Sequence, residues 1–241
     1  MTTALTAAGT LYLVPVTLGG SNMEYVLPAN VIHTARQLDT FIVENEKTAR
    51  QFLSMIKPNT PIRGLNLLTL NEHTAEKELP MLLAPLLTGR DVGLISDAGC
   101  PGIADPGADL VRLAHRKGIR VVPLVGPSSI LLALMASGMN GQHFTFLGYL
   151  PVEKNERIQK IREIEKRSQQ HQETQIFIEA PYRNQHMLQD IVEICHADTR
   201  LCAAANISLE SELIVSKSIA DWKKSPLPDL HRQPTVFLLL G

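Results

Sequence analysis

Five short apolar runs in the first 126 residues constrain the fold of this chain more than any other feature. Each run is rich in β-branched and long aliphatic residues, and each is followed by a helical pattern or a turn. Strands that alternate with helices are typical of parallel sheets. We therefore predict an α/β fold with a mainly parallel amino-terminal sheet. The runs are LYLVPV (11–16), TFIVE (40–44), GLNLLTL (64–70), DVGLISD (91–97) and RVVPLVG (120–126).

Helical patterns fill the segments between these runs. The signals at the helix ends are most complete for residues 106–117. Asp105 can cap the first amides, Pro106 fits the first helical position, and Gly118 can adopt the left-handed conformation that ends a helix. The predicted helices span residues 28–38, 45–56, 74–88, 106–117 and 127–137.

The pattern of apolar runs and helical segments in the second part of the chain predicts a smaller α/β sheet. HFTFLGYLP (143–151) is typical of one more strand of the first sheet, and a charged helix over residues 155–172 follows it. We expect that helix to be solvated, and we place the domain boundary near residues 151–154. The predicted organisation is a flexible amino terminus (1–10), an amino-terminal α/β domain (11–152) and a carboxy-terminal α/β domain (153–241).

Composition excludes several classes of protein. With 44% hydrophobic and 20% charged residues, the chain can bury a sizeable core, and a net charge of −1 argues against broad electrostatic coating of nucleic acid. Cys100, Cys195 and Cys202 form no C-x-x-C pair, so neither a disulfide framework nor a zinc site is indicated. Residues 1–10 lack the basic and apolar regions of a signal peptide, and no stretch has the length of a membrane span. We expect a cytoplasmic protein with no metal and no membrane association.

Three connections rich in glycine and proline follow the first, fourth and fifth strands. They are PVTLGGSN (15–22), SDAGCPGIADPG (96–107) and VGPSSI (125–130). Ligands bind at the carboxyl ends of strands in open parallel sheets, and glycine allows close approach of the backbone. None of the three is a dinucleotide-binding or P-loop motif. One such loop alone is typical of a tight turn, but three at one edge favour a ligand site lined by backbone.

These segments resemble a known family. LYLVPVTLGG, VENEKTARQFL, VGLISDAGCPGIADPGADLV, VPLVGPSSI, FLGYLP and IFIEAPYR occur in the order seen in the tetrapyrrole-methylase superfamily of S-adenosylmethionine-dependent methyltransferases. The closest branch is the one that methylates the 2′-oxygen of a cytidine ribose in small-subunit ribosomal RNA. The resemblance implies two α/β domains with the methyl-donor cleft between them, and a homodimer. It also implies donor-binding residues: Pro15, Asp97, Cys100, Ser128 and Ser129, with Glu179, Asn206 and Pro234 from the second domain.

Two carboxylates are candidates for acting on the methyl acceptor. A ribose hydroxyl is a poor nucleophile at neutral pH, so an oxygen acceptor benefits from a base within hydrogen-bond reach. Glu44, at the end of the second strand, is the preferred candidate, and Glu72 follows the third strand at the same edge. The alternative for Glu44 is a carboxylate that stabilises the amino terminus of the next helix. For Cys100 we favour packing in the donor loop over a nucleophilic role, because no basic residue is near it in sequence.

Departures from the ribosomal branch concentrate where the acceptor should bind. Asn45 and Lys47 replace an aspartate and an arginine, Ala205-Asn206 replaces an Arg-Glu pair, Gly20 replaces an asparagine, and LLTLNE lacks a histidine-rich stretch. Three hypotheses stay open. The chain methylates ribosomal RNA, or methylates a small or tetrapyrrole-like acceptor, or binds the donor without turnover as a regulatory module. Under the first hypothesis, phosphates meet Lys47, Arg50, Arg183 and the basic positions of residues 154–167.

Overall fold

The structure, a computed structural model, describes residues 8–20 and 22–241. It divides the chain into two compact units, one ending at Ser128 and the other running from Ser129 to Gly241. The flexible segment expected over residues 1–10 falls largely outside the described residues. Thr10, at its end, already opens the first strand.

The first unit contains a fully parallel sheet of five strands, as predicted. The strand order is β3-β2-β4-β1-β5, and each of the four pairings is parallel. The strands are β1 (Thr10–Leu13), β2 (Thr40–Val43), β3 (Asn66–Thr69), β4 (Val92–Ile95) and β5 (Arg120–Pro123). The helices are α1 (Met23–Val26), α2 (Ala29–Gln37), α3 (Glu46–Ile56), α4 (Leu79–Leu82), α5 (Ala84–Leu87) and α6 (Gly107–Arg116).

Apolar side chains cover both faces of this sheet. Along β2, Phe41 and Val43 pack into one hydrophobic cluster and Ile42 into another, as the alternation of a strand requires. All three are fully buried. A parallel sheet covered on both faces leaves its strand ends as the accessible places for a ligand.

Prolines shorten several of the predicted elements. The helix predicted over residues 74–88 is instead a 3₁₀ turn (Glu76–Glu78) followed by the short helices α4 and α5, which carry Pro80 and Pro85 in their first turns. Proline lacks the amide that a continuous helix or strand needs. For the same reason β1 stops before Pro15. The loop after β1 therefore begins earlier than the end of the apolar run indicates.

The second unit contains a mixed sheet with the order β6-β7-β10-β8-β9. Only β6 and β7 are parallel, and the other three pairings are antiparallel. The elements are α7 (Ser129–Ser137), β6 (Phe144–Tyr149), α8 (Lys154–His171), β7 (Thr174–Ile178), α9 (Asn184–Ile194), β8 (Arg200–Ala205), β9 (Leu213–Ser218), α10 (Ile219–Trp222) and β10 (Thr235–Leu240).

The strand predicted over residues 143–151 lies in the second sheet and not in the first, so that prediction is wrong. β6 pairs with β7, and its register begins with Phe144 opposite Thr174. The preceding helix α7 also belongs to the second unit, where Ser137 accepts a hydrogen bond from Ser216 at 2.7 Å. The division between the units therefore falls at residue 128 and not near 152. An apolar run reveals a strand but not its partner, because pairing is decided by contacts distant in sequence.

Helix α8 is not a freely solvated helix, because one of its faces is buried. Arg157 donates to the Asp190 carboxylate from Nε (2.9 Å) and Nη2 (2.7 Å), and this pair ties α8 to α9. Both residues are buried. Arg157 must consequently be removed from the set of basic residues expected to meet RNA phosphates.

In the described part of the chain, no helix is both long enough and apolar enough to cross a membrane.

Candidate functional site

The three glycine- and proline-rich loops meet at the carboxyl edge of the first sheet. The Val16 amide donates to the Gly99 carbonyl at 2.9 Å, which joins the first loop to the second. The Cys100 thiol donates to the Pro127 carbonyl at 3.3 Å, which joins the second loop to the third. Gly99 has φ +70°, so this position favours glycine. The edge is therefore lined by backbone, as the sequence predicts.

Gly126 packs tightly against Pro15 where two of these loops meet. A Cβ atom built on Gly126 would overlap Cβ and Cγ of Pro15, and Leu27 Cδ2 lies 3.6 Å away. Pro15 is buried in this contact. The loop after β5 can thus pass Pro15 only because residue 126 has no side chain.

The loop between β4 and α6 is organised by Asp105. Its carboxylate accepts the Gly102 amide at 2.8 Å and the Gly107 amide at 2.7 Å. Asp105 accepts the first amide of α6, as predicted, and the same carboxylate also closes the preceding turn. Pro106 is the N-cap residue and not the first helical residue, so that part of the prediction is wrong by one position. Burial raises the pKa of Asp105, and the two amides oppose that effect. Gly118 ends the helix with φ +68°, as expected.

Glu44 and Asp97 meet beside this loop because β2 and β4 are neighbours in the sheet. The Asp97 amide donates to Glu44 Oε2 at 3.2 Å. The Asp97 carboxylate in turn accepts the Thr48 hydroxyl at 2.5 Å. Partial burial raises the pKa of Glu44, and the nearby carboxylates of Asp97, Asp105 and Glu72 raise it further, while the Asp97 amide lowers it. A carboxylate with a raised pKa is better matched to proton transfer near neutral pH.

The alternative role for Glu44, at the start of the next helix, is filled by its neighbour. Asn45 is the N-cap of α3, and its side chain accepts the amides of Lys47 (2.9 Å) and Thr48 (3.5 Å). Asparagine caps helices as well as aspartate does. The departure at this position therefore preserves the local structure, and Glu44 is directed to Asp97.

Glu72 lies in a more exposed place. Its side chain is 85% exposed, and the His73 imidazole is its nearest ionic partner at 3.6 Å. The turn that carries both residues is held by the Asn71 side chain, which accepts the His73 amide at 2.9 Å. Because β2 and β3 are parallel neighbours, Glu44 and Glu72 follow strands that end at the same edge of the sheet.

The second unit gathers Glu179, Asn206 and Pro234 at one edge of its own sheet. β10 runs antiparallel to both β7 and β8, so its first residues lie beside the last residues of those strands. The Asn206 amide donates to the Pro234 carbonyl at 2.9 Å. The Asn206 side chain donates to Ser211 (3.1 Å) and Gln233 (3.0 Å).

Glu179 is buried at this edge and is only partly satisfied. Its Oε1 atom accepts the Ala180 amide and Arg183 Nη2, each at 2.6 Å. Its Oε2 atom, Arg183 Nε and Asn184 Oδ1 are buried without a hydrogen-bond partner in the described part of the chain. Buried polar atoms are rarely left unpaired, so this group indicates a missing partner.

A profile of the family described as Tetrapyrrole (Corrin/Porphyrin) Methylases matches residues 10–222 of the chain. The chain belongs to the tetrapyrrole methylase family. It is 30% identical over 211 residues to the Ribosomal RNA small subunit methyltransferase I of Vibrio cholerae, covering 88% of this chain and 69% of the relative. It is 32% identical over 238 residues to the protein of that name from Pseudomonas aeruginosa, covering 98% and 80%. Matches to proteins of this name span from 60% to 96% of their own length.

The fold of this methylase agrees with a solved relative. The crystal structure of the methyltransferase CobJ superposes with a TM-score of 0.65 at 16% identity, covering 97% of this chain and 95% of that one. At this identity the likeness concerns the fold. The family match establishes the chain as a methyltransferase, and the superposition shows that its α/β architecture is that of the solved structure.

The structure bears on whether a reactive thiol or a metal ion could take part in the chemistry of this methylase. Burial raises the pKa of the Cys100 thiol, which opposes thiolate formation and fits the packing role expected in the donor loop. Among the described residues, no group of three or more His, Cys, Asp or Glu side chains could hold a metal ion.

Sequence reasoning missed two residues that lie beside the candidate site residues. Thr48, which donates to Asp97, lies in the first turn of α3, and no pattern in the sequence indicates that its hydroxyl meets the loop after β4. Tyr149 ends β6 just after a break in register between Phe146 and Tyr149, with Gly148 at φ +68°. A glycine inside a strand pattern signals such a bulge, so Gly148 was the available clue.

Proposed function

We propose that the chain transfers a methyl group from S-adenosylmethionine to a ribose 2′-oxygen of small-subunit ribosomal RNA. The observation that carries this proposal is the hydrogen bond from the Asp97 amide to Glu44 at 3.2 Å. This hydrogen bond supports the proposal because it joins the candidate base to the loop after β4, the candidate donor loop. A hydroxyl acceptor needs both groups within reach of each other.

The first unit fits a cationic donor with an extended backbone contact surface. Gly99 and Gly126 let the three loops pack closely against one another, and the carboxylate of Asp97 supplies negative charge at their edge. When bound, S-adenosylmethionine supplies an electrophilic methyl group on a positively charged sulfur. We propose donor contacts from Pro15, Asp97, Cys100, Ser128 and Ser129.

The second unit offers polar groups of its own for the donor. The unpaired Glu179 Oε2 atom fits a hydrogen-bond donor such as a ribose hydroxyl or an amine. Asn206 and Pro234 lie beside it at the same sheet edge. We retain these three residues as proposed donor contacts.

Glu44 is proposed to remove the proton from the acceptor hydroxyl. Its raised pKa makes it a stronger base than an ordinary glutamate, and the Asp97 amide holds its carboxylate in place. Glu72 is exposed, and we propose that it orients the acceptor. Neither role requires a metal ion.

The names of the relatives support ribosomal RNA as the acceptor. Proteins named for the small subunit match over most of the chain. Lys47 is exposed on α3, and Arg50 beside it pairs with Glu46 at 3.1 Å, so Lys47 is the stronger candidate for a phosphate contact.

We also propose a homodimer that acts in the cytoplasm, where small subunits are found. Helix α7 has apolar residues at every position except its two serines, and its Met135 is 79% exposed. Exposed apolar surface of this kind is typical of an interaction site. Light scattering tests this proposal: a dimer mass that Met135→Glu reduces supports it, and a monomer mass for the wild type contradicts it.

Two measurements test the proposed function. Calorimetry with S-adenosylmethionine should show binding that weakens at least tenfold when Asp97→Ala and Ser128→Ala are combined. Absence of binding by the wild type, or unchanged binding by the double variant, would contradict the proposed donor site. Radiolabelled methyl transfer to small subunits that lack the modification then tests the acceptor. Transfer only to a small molecule would favour the tetrapyrrole-like acceptor, and tight donor binding without transfer would favour the regulatory module.

Glu44→Gln separates chemistry from donor binding. The amide keeps the shape of the side chain but cannot accept the acceptor proton. We expect the rate of transfer to fall by about two to four orders of magnitude, the usual contribution of general-base catalysis. Donor affinity should stay within about threefold of the wild type. Full activity of Glu44→Gln would remove Glu44 from the role of base.

A further inference from the structure

Two exposed tyrosines and two arginines form a patch at the strand-end edge of the second unit. We call Tyr149, Tyr182, Arg183 and Arg232 the tyrosine–arginine patch. The two tyrosines are 60% and 58% exposed. Aromatic side chains this exposed contribute little to packing of the core. Core packing therefore does not account for tyrosines at these two positions.

The backbone brings these tyrosines to the same edge. Tyr149 lies opposite Ile178 in the register of β6 and β7. Ile178 directly precedes the buried Glu179. The register break at Gly148 redirects the end of β6, as bulges do. Tyr182 lies in the 3₁₀ turn Pro181–Arg183 that follows β7.

Arg183 holds the patch together. Its Nη2 atom donates to the buried Glu179 at 2.6 Å, and its Nη1 atom donates to the Tyr182 hydroxyl at 3.2 Å. Its Cζ atom lies 5.1 Å from the centre of the Tyr182 ring, within cation–π range. Glu179 raises the pKa of Arg183 most, and Tyr182 and Tyr149 contribute smaller effects, so both tyrosines lie within electrostatic reach.

Arg232 adds a second cation beside the same turn. Its backbone amide donates to the Pro181 carbonyl at 2.9 Å, which fixes the loop before β10 against the Pro181–Arg183 turn. Its φ of +59° is uncommon for a residue with a side chain. Arg232 is exposed, and no carboxylate forms an ion pair with it in the described part of the chain. Its charge is therefore available to an anionic ligand.

We propose that the tyrosine–arginine patch binds an unpaired nucleotide of the acceptor RNA, stacking its base on Tyr182 and Tyr149 and placing its phosphate by Arg232. Single-stranded RNA is bound in this way by aromatic rings and guanidinium groups. The donor is a weaker candidate for this surface, because its reactive centre is cationic and the exposed charge here is positive. The inference rests on the proposed function, since it assigns a binding surface to the same acceptor.

Alanine and phenylalanine variants of the two tyrosines test the patch in the full chain. Tyr182→Ala and Tyr149→Ala should each raise the KM for small subunits about tenfold with little change in kcat, because one stacked base is lost. Tyr182→Phe should restore most of the affinity, since it keeps the ring. Tyr25→Ala is the matched control, a tyrosine that is 75% exposed in the first unit. It should leave KM unchanged.

Binding of a fluorescent single-stranded oligoribonucleotide gives a second readout that needs no turnover. The wild type should bind it, Tyr182→Ala and Arg232→Ala should weaken binding about tenfold, and donor calorimetry should give the wild-type Kd for both variants. Wild-type KM and RNA affinity in the alanine variants would overturn the patch, as would a loss confined to donor affinity. If the wild type methylates no small subunit, the proposed function fails, while oligoribonucleotide binding still decides the patch.

Discussion

Gly126→Ala adds one methyl group at the point where the loop after β5 passes Pro15. The new Cβ would overlap two ring carbons of Pro15 and would have Leu27 Cδ2 3.6 Å away on another side. Carbon atoms pack best about 3.5–4.0 Å apart, and a proline ring cannot rotate out of the way. The two loops must therefore separate. Overpacking of this kind costs about 1–3 kcal/mol of unfolding free energy, roughly 2–12 °C in Tm for a chain of this size.

The effect on donor binding should exceed the effect on folding. Gly126 packs against Pro15 and precedes Ser128 by two residues in the chain, and both are proposed donor contacts, so separating the loops should displace them relative to each other. Calorimetry with S-adenosylmethionine should show at least a tenfold weaker Kd, while thermal unfolding stays cooperative. The matched control is Gly141→Ala, where an added Cβ meets no atom within 4 Å and both Tm and Kd should stay unchanged. Wild-type Tm and Kd in Gly126→Ala would refute the assembly of loops described above.

Three further predictions follow from charged groups. Asp190→Ala leaves the buried Arg157 unpaired and should lower the unfolding free energy by about 3–5 kcal/mol in chemical denaturation; a loss under about 1 kcal/mol would contradict the buried pair. Arg167, with the Thr145 hydroxyl, lowers the pKa of Glu173 to about 2, so this carboxylate adds stability above about pH 4.5 that is lost as pH falls toward 2. Arg167→Ala removes the main partner of this carboxylate and should flatten the acid part of the stability curve, with a small effect at pH 7 because Arg167 is 55% exposed. An unchanged curve would exclude this link. The transfer rate should rise with pH through a midpoint above the ordinary range of a glutamate, because burial raises the pKa of Glu44, and Glu44→Gln should abolish that midpoint.

Local sequence patterns predicted the strands of the first unit well because each buried strand carries its own apolar signal. All five occur and all are parallel. Their ends were less predictable, since Pro15 stops β1 before the apolar run does. The partner of β6 could not be found from its own residues, because pairing with β7 depends on contacts formed after the chain folds.

Part of the candidate site could likewise be predicted from local sequence, and part of it depends on how the strands are ordered. Glycine and proline mark the proposed donor loops in the sequence, because close approach and fixed φ require those residue types. The meeting of Glu44 with Asp97 follows from strand order, which the sequence alone does not supply. The clamp between Glu179 and Arg183 was also hidden, since burial of a glutamate is decided by the surrounding strands.

The position of the transferred methyl group tests the central claim most directly. The full chain, radiolabelled S-adenosylmethionine and small subunits that lack the modification should give labelled ribosomal RNA. A 2′-O-methyl group removes the hydroxyl that alkaline cleavage requires, so alkaline hydrolysis should release the label in a dinucleotide. Label recovered in mononucleotides would indicate methylation of a base, and label confined to a small molecule would exclude the RNA. Either result would contradict ribose methylation assisted by Glu44.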